Sequence, residues 1–543
     1  MSCIRRWNLP LLVAAMLVLA MVVVGCTGAE EPASPTEPGE PSEPGDDEPR
    51  YGGTFIIAQA ADVTHLNPFM STDGPSNAVN TTIHQGLVGY RYNNELTPLL
   101  AESWETSEDG LSWTFHLRRG VKWHDGVEFT AEDVKFTYEL MMDPATKSPR
   151  VGDLAPIDKV EVLDDYTILL VTKEPYASLL DKVGCRGIVA KHHVEEHGLE
   201  NYNRYPLGTG PFRFVSWQPD EKIVLEHFED YWEGRPYLDR VEFVVILEDS
   251  VRQIAIETGE IHLNTGVPEE DIPAMRERSD IDVLNYALTN FQMLILNCNH
   301  PFFSDYRARQ AIAYAIDKEA ICESIVPHSS VIADGPYSPA YGFFYNPDVL
   351  TRIRHDPDKA LELLTDLGWE PGADGILVRD GQPFEFDAMA RAGDELRINV
   401  LVMIQNWLHQ VGIKLNIQET EWSLLLERLT ETREYDACIV SFGASPDPDH
   451  HYIFHTEGGF AMGQYSNERV DYALDRGRSV LDPDERKVYY DEYAEIISRE
   501  QGVVFLWHGL QSSTVASRFR GMTSEPAGVL QLLHEVWDTQ AGQ

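Results

Sequence analysis

Between residues 384 and 442 the chain alternates strand-like and helix-like segments, and this alternation limits the choice of fold more than any other feature. In order, the segments are a strand at 384–390, a helix capped by Asp394 and stopped by Gly412, a strand at 413–417, a helix at 422–429 and a strand at 437–442. The long helix has one apolar face, made of Leu401, Ile404, Leu408 and Val411. Such a series predicts a parallel sheet with right-handed crossovers, so we expect an α/β fold.

The last of these strands ends in a polar loop. Residues 437–442 are apolar without alternation, which is typical of a strand buried on both faces. Prolines and a glycine then end the strand, and aspartates and histidines follow. Open α/β sheets bind ligands beyond the carboxyl ends of their strands, so we expect Ser441, Phe442 and Asp447 to contact a ligand.

Other polar and aromatic residues are further candidates for ligand contacts. The strand predicted at 52–58 leads to a second polar loop at 65–68, which contains Asn67. Aromatic rings offer stacking faces to a ligand, and the candidates are Trp422, Tyr452 and Trp507. Each of these rings could equally be a core residue.

Alternating apolar residues at 111–117 follow a turn at 107–110 and predict a hairpin with one buried face. Thr130 can cap the next helix, with Asp133 in the capping-box position. A further strand is predicted at 166–171. This part of the chain is therefore expected to be rich in β-structure.

The N-terminus has the pattern of an export signal. Arg5 and Arg6 precede an unbroken apolar run of 14 residues at 11–24, too short for a comfortable membrane span. The run ends in Val-Val-Gly-Cys, which resembles a bacterial lipobox with Cys26 as the lipidated residue. We expect residues 1–25 to be a lipoprotein signal peptide; the alternative is an ordinary cleavage site beside a chance cysteine.

Residues 31–50 carry six prolines, seven acids and no large apolar side chain, so we expect 26–50 to be a disordered tether. Removal of the signal takes away two arginines and no acid, which moves the formal charge from −45 to −47. Such a surface repels nucleic acid, so no nucleic-acid partner is expected. The remaining residues, 51–543, are too many for one core and predict two or three lobes.

Beyond the export signal and Cys26, the chain contains four cysteines: Cys185, Cys298, Cys322 and Cys438. An exported protein meets an oxidising compartment, where disulfides are possible. The four residues allow three pairings, and their spacing does not choose among them.

Six segments, in this order, resemble the family 5 extracellular solute-binding proteins, which are the peptide, nickel and oligosaccharide receptors of ABC importers. They are LLAESWETSEDGLSWTFHLRRGVKWHDGVEFTAEDVKFTYE at 99–139, LGTGPFRFVSW at 207–217, YWEGRPYLDRVEF at 231–243, GEIHL at 259–263, RQAIAYAIDKEAI at 309–321 and DPDKALELLTDLGW at 356–369.

The resemblance implies a class II periplasmic-binding-protein fold, with two lobes around a ligand cleft and an extra subdomain. Lobe I is expected at 51–84, 206–288 and 505–543, the extra subdomain at 85–205, and lobe II at 289–504. It also implies a monomer that is not an enzyme, needs no cofactor and delivers a peptide-sized solute to an ABC permease. The location is extracytoplasmic, in the periplasm or on the outer face of the cell membrane, held by the lipid on Cys26.

The identity of the solute stays open at this stage. Peptide-type relatives place an aspartate four residues before the proline of the Asp-Pro pair, where it meets the ligand's ammonium group, but this chain has Ala444 there. Nickel-type relatives carry Gly-Ala-Pro-Tyr-Asp-Pro-His, and here Asp449 takes the place of the histidine. Peptide, oligosaccharide and metal chelate are therefore the alternatives, with three histidines as weak metal candidates: His450, His451 and His455.

A different class of protein is suggested by His193, Glu196 and His197. They match the His-x-x-Glu-His motif of inverted zinc peptidases, in which two histidines hold zinc beside a general base. Gly198 ends the helix at once and no third ligand follows nearby. A secreted zinc hydrolase is accordingly the rival hypothesis.

Overall fold

The computed structural model describes residues 48–524 and 530–542, apart from the side chain of Asn93. The predicted signal peptide, Cys26 and the tether up to residue 47 lie outside the described residues. In the part of the chain that the structure describes, no helix combines the length and the apolar character needed to cross a membrane.

The strands, in chain order, are β1 (Thr54–Gln59), β2 (Val88–Tyr90), β3 (Leu96–Pro98), β4 (Ala101–Thr106), β5 (Ser112–Leu117), β6 (Ile157–Asp164), β7 (Thr167–Thr172), β8 (Phe212–Gln218), β9 (Lys222–His227), β10 (Arg240–Val245), β11 (Leu263–Asn264), β12 (Ile281–Ala287), β13 (Phe291–Leu296), β14 (Ser330–Ile332), β15 (Glu370–Pro371), β16 (Leu377–Arg379), β17 (Gln382–Pro383), β18 (Glu385–Arg391), β19 (Lys414–Thr420), β20 (Ala437–Phe442), β21 (Val504–Ala516), β22 (Phe519–Arg520) and β23 (Trp537–Asp538).

The α-helices are α1 (Gly74–Ile83), α2 (Ala131–Met142), α3 (Lys191–His197), α4 (Asp249–Thr258), α5 (Ile272–Arg276), α6 (Tyr306–Ala315), α7 (Lys318–Ile325), α8 (Pro357–Asp366), α9 (Glu395–Gln410), α10 (Trp422–Glu427), α11 (His451–Phe454), α12 (Glu468–Ser479) and α13 (Pro483–Glu500).

The main sheet has the strand order β19-β18-β20-β13-β21-β11-β1-β10-β9-β8. Its β18 pairs in parallel with β19 on one side and with β20 on the other, which confirms the parallel sheet predicted from the sequence. Asp394 caps α9 by accepting the backbone N–H of Arg397, and Gly412 follows the helix with φ +77°.

Strand β20 separates two hydrophobic cores. Ala437 and Ile439 point into one core, with α9 and β13, whereas Cys438 points into the other, with α12 and α13. Both faces of this strand are covered by helices, which explains why its residues are apolar without alternation.

Strand β21 joins the two halves of the main sheet. Its first half pairs with β13 and β14, and its second half pairs with β11 and β12. The second connection between the halves is the link between β12 and β13. In this link, Leu288 donates its N–H to the Gly509 carbonyl, and the Asn290 side chain accepts the N–H of Gly509. The two connections therefore lie side by side and are hydrogen-bonded to each other.

A smaller antiparallel sheet, β4-β5-β7-β6, packs against α2 over its own core. The predicted hairpin is confirmed, with a turn closed by the Gly110 N–H to the Ser107 carbonyl. The predicted capping box is also present, because the Asp133 carboxylate accepts the N–H of Thr130 at 3.0 Å. The Leu-Gly-Thr-Gly segment then packs on the end of α1, where a side chain on Gly208 would lie 1.8 Å from the Ile83 carbonyl oxygen.

Candidate ligand-binding site

The carboxyl ends of three parallel strands meet at a small cavity of about 100 Å³. Arg391 is the last residue of β18, Trp422 follows β19, and Ser441 lies near the end of β20. The Arg391 guanidinium lies 5.8 Å from the centre of the Trp422 ring. The fold thus brings Trp422 and Ser441, both candidates from the sequence, to one edge of the sheet.

Arg397, in the first turn of α9, is the most informative residue of this cavity. One terminal nitrogen pairs with the Asp394 carboxylate, and the other donates to the Gln292 side chain at 2.8 Å. Gln292 in turn donates to the Ser441 hydroxyl at 2.8 Å. The Nε of Arg397 is buried and has no hydrogen-bond partner among the described residues. A buried donor on a cation without a partner indicates a missing acceptor, and Arg397 is also one of the residues that line the cavity.

The sequence analysis missed Arg397, although the chain carries a signal for it. A cation in the first turn of a helix is unfavourable, because the backbone N–H groups there form the positive end of the helix dipole. An arginine at that position therefore indicates an anionic partner, either Asp394 alone or Asp394 together with a ligand.

Two larger cavities, of about 360 and 490 Å³, form a groove beside the loop that follows β20. They share Thr81, Leu530 and Gln531 as lining residues. Among the described residues, the 490 Å³ cavity is lined only from the half of the sheet that contains α1. In the 360 Å³ cavity, the end of α1 and residues 530–534 lie on that side, Pro446 comes from the other half of the sheet, and Leu288 and Thr289 belong to the link between β12 and β13. The groove therefore lies where the two halves meet.

Asp447, expected to contact the ligand, forms an internal ion pair. It is 9% exposed, and Arg486 of α13 binds both of its carboxylate oxygens at 3.1 Å. The Ser178 hydroxyl donates to the same carboxylate at 2.9 Å. Burial alone would raise the pKa of Asp447, but the charge and hydrogen bonds of Arg486 outweigh burial and hold that pKa below its ordinary value. Asp447 thus fastens the loop, and its charge is already neutralised.

The other predicted contacts occupy different surroundings. Phe442 is half-buried against Phe291 and Phe460, while Tyr452 is 58% exposed beside Phe460. Trp507 is 3% exposed and lies in the core. Asn67 is also buried, and its side chain accepts the N–H of Phe69 within its own loop. Trp507 and Asn67 line none of the cavities described above.

The histidine cluster after β20 has a hydrogen-bonding pattern unfavourable to metal binding. His450 is fully buried, and its Nε2 lies 2.9 Å from the Tyr341 hydroxyl. His451 and His455 stack face to face near Asp475, and the potential ligand atoms of the three lie within 4.8 Å of one another. However, the Nδ1 of His455 accepts a backbone N–H, so its proton sits on Nε2, the atom that faces Asp475.

The zinc-peptidase motif does not converge on one point. The Nε2 of His193 donates to the Tyr205 carbonyl at 2.5 Å, and its ring packs edge-on against His197. The Glu196 carboxylate lies 4.0 Å from the Nε2 of His197. Within the described ranges these three residues form no group with the spacing of metal ligands.

The four cysteines of the described chain, Cys185, Cys298, Cys322 and Cys438, are all free thiols. Burial raises the pKa of each thiol above its ordinary value. They are consequently protonated and unreactive at neutral pH.

Two sheet halves joined by two adjacent connections, with a groove where they meet, define a two-lobed α/β binding protein. The profile of the family described as bacterial extracellular solute-binding proteins, family 5 Middle, matches residues 95–463. The chain belongs to this family of extracytoplasmic solute-binding proteins, as its sequence segments predicted.

Individual relatives span nearly the whole chain. The oligopeptide-binding protein AppA of Bacillus subtilis is 28% identical over 552 residues, covering 98% of this chain and 99% of its own. The periplasmic binding protein DppA of Helicobacter pylori, solved in complex with the peptide STSA, has a TM-score of 0.72 and 29% identity, covering 90% of this chain and 99% of its own. NikZ of Campylobacter jejuni, solved with Ni(L-His), has a TM-score of 0.73 and 25% identity, covering 89% and 99%.

Proposed function

We propose that this protein is the peptide receptor of an ABC importer, anchored to the membrane by a lipid on Cys26 and acting as a monomer. The relatives named as peptide-binding proteins support the ligand class. The signal-peptide pattern supports export and lipidation, and the acidic tether holds the receptor away from the membrane surface. The permease is the partner to which the loaded receptor delivers its peptide.

The receptor works by closing on its ligand. Lobe I comprises 51–84, 206–288 and 505–543, with 85–205 as its extra subdomain, and lobe II comprises 289–504. The bend lies where β21 and the residues between β12 and β13 cross from one lobe to the other. A ligand that contacts both lobes binds the closed form better than the open one, and this difference in affinity drives closure.

The observation that carries the proposal is the buried, unpartnered Nε of Arg397. It offers a charge-assisted hydrogen bond to a carboxylate, which every peptide carries at its C-terminus. The other residues that line the cavity are Arg391, Asp394, Trp422, Leu425, Ile439, Val440 and Ser441. A peptide can therefore place its carboxylate at this strand end.

Isothermal titration calorimetry tests the proposal. It compares a mixed library of free-acid pentapeptides with the same library amidated at the C-terminus. Free-acid peptides are expected to bind, and amidation or an Arg397→Gln substitution is expected to weaken binding by about tenfold or more, the equivalent of one lost charge-assisted hydrogen bond. Arg428→Gln, in the same lobe but outside this cavity, should leave affinity unchanged. Absence of binding by any peptide would overturn the proposal.

A further inference from the structure

A separate cavity of about 640 Å³ lies between the small antiparallel sheet and α13. Its walls are rich in aromatic rings: Tyr90, Trp104, Trp113, Tyr341, Phe343 and Phe344. The volume is within the range of small-molecule sites in proteins, roughly 300–1,000 Å³. The cavity is thus large enough to hold one or more side chains of a ligand.

The cavity adjoins the groove. Tyr90 and Pro446 line both the 360 Å³ part of the groove and this cavity. Pro446 belongs to the loop after β20, which the ion pair of Asp447 with Arg486 fastens in place. A peptide that lies in the groove can therefore send a side chain past Tyr90 and Pro446.

Two polar atoms in the cavity wall lack partners. Trp113 is 4% exposed, and its indole N–H has no hydrogen-bond partner among the described residues. The Asn94 side chain donates to the Ala340 carbonyl at 2.8 Å, but its own oxygen is buried without a donor. The wall thus combines aromatic rings with one unpaired hydrogen-bond donor and one unpaired acceptor. This combination suits a flat ligand group with apolar faces and a polar edge.

The buried charges at the cavity are already paired. Asp181 accepts from the Tyr90 hydroxyl at 2.8 Å and lies 3.1 Å from Lys182. Arg486 binds Asp447, and its guanidinium carbon lies 5.4 Å from the centre of the Phe344 ring. A neutral ligand group is favoured in the buried part of the cavity, because the one acid of the lining without an ion pair among the described residues, Glu95, is exposed to solvent.

Resting on the proposed role as a peptide receptor, we propose that this cavity is a specificity pocket for a tyrosine side chain of the bound peptide. The ring stacks among the aromatic residues, and the hydroxyl can accept the Trp113 N–H or donate to the Asn94 oxygen. Phenylalanine fills the same space but leaves both wall atoms unpaired, so tyrosine binds more tightly.

The test compares three kinds of peptide: pentaalanine, five pentapeptides with one tyrosine at each position in turn, and the matching phenylalanine peptides. Calorimetry measures their affinities for the protein from residue 27 onward, which keeps the tether. At least one tyrosine peptide is expected to bind roughly tenfold more tightly than pentaalanine, and more tightly than its phenylalanine counterpart. Equal affinity of all these peptides would overturn the pocket while leaving the receptor proposal intact. Failure of every peptide, pentaalanine included, would overturn both.

Two variants and a matched control locate the preference. Thr106 pairs across the strands with Trp113 and lines the cavity, so Thr106→Trp should fill it and abolish the tyrosine preference without changing the affinity for pentaalanine. Thr114→Trp, on the opposite face of the same sheet, is the matched control and should keep the preference. Trp113→Phe removes the N–H donor together with part of the ring, and it should reduce the advantage of tyrosine over phenylalanine. A preference that survives Thr106→Trp would place tyrosine elsewhere and overturn the proposal.

Discussion

Arg486 binds both carboxylate oxygens of Asp447 at 3.1 Å, and both side chains are more than nine-tenths buried. The pair connects α13 to the loop after β20. The same carboxylate accepts the Ser178 hydroxyl, and Lys182 donates to Ser445 at 2.8 Å. The loop after β20 is therefore fastened from two directions, by Arg486 of α13 and by Ser178 and Lys182.

Removal of Arg486 should destabilise the protein strongly. In Arg486→Met, the Asp447 carboxylate keeps its buried position but loses its main counter-charge, which typically costs about 3–5 kcal/mol. The double variant Arg486→Met with Asp447→Leu should lose less, because no unpaired charge remains. Urea unfolding monitored by circular dichroism measures both free energies, and equal losses in the two variants would contradict the structural role of the pair.

Stability should fall as the pH drops from about 6.5 towards 4. Burial, the largest cause, lowers the pKa of five histidines to about 3 or 4: His84, His124, His262, His450 and His508. The unfolded chain takes up these protons near pH 6.5 while the folded protein does not, so each contribution is complete above that pH and is lost below it.

Free energies of unfolding measured at a series of pH values test this expectation. His450→Gln removes one of the five groups and should give a shallower decline between pH 6.5 and 4 than the wild type. The lowered pKa of Asp447 adds a further loss that begins below about pH 4. A stability that stays constant over this range would show that the histidines titrate normally in the folded protein.

The α-ammonium group of a peptide should matter little for affinity. Ala444 stands where peptide-type relatives carry an aspartate, and the nearby Asp447 is neutralised by Arg486. N-terminal acetylation of a bound peptide is therefore expected to change Kd by less than about threefold, well under the tenfold that 1.4 kcal/mol represents. Calorimetry with acetylated and free peptides measures this difference directly.

An engineered aspartate supplies the complementary test. Ala444→Asp should create a preference of about tenfold for the free amine, the effect of one charge-assisted hydrogen bond. Ala444→Asn, which has the same shape without the charge, should not. An equally large loss on acetylation in the wild type would reveal another acid at the ligand's ammonium group.

Reducing agents should leave the thermal stability unchanged. The thiols of Cys185, Cys298, Cys322 and Cys438 are free and mostly buried, so there is no disulfide between them to reduce. Differential scanning calorimetry with and without dithiothreitol should give the same Tm, and a thiol reagent should label these residues fully only after unfolding. A Tm that falls on reduction would indicate a disulfide.

The sequence predicted the local elements well because their signals lie within a few neighbouring residues. The apolar run of β20 and the capping box at Thr130 are both contained in short segments, and the fold has them where they were expected. The parallel order of β18, β19 and β20 followed from the helices between them, since a crossover connection leaves little choice of direction.

The candidate site was only partly predictable. Trp422 and Ser441 were brought together by the parallel strands, whereas Trp507, an equally good aromatic candidate by sequence, lies in the core. Whether an aromatic ring lines a cavity depends on which sheet face is covered by helices. That property belongs to the packing of distant segments and leaves no local mark on the chain.

By itself, then, the sequence determined the α/β alternation, the family and the strand whose end carries the ligand loop. Only the tertiary structure decided how the charges near the candidate site are paired. Arg486 lies 39 residues from Asp447 and neutralises it, while Arg397 keeps a buried N–H without a partner. The physical reason is that hydrogen bonding and hydrophobic periodicity act along the chain, whereas the pairing of charges depends on distances that exist only after folding.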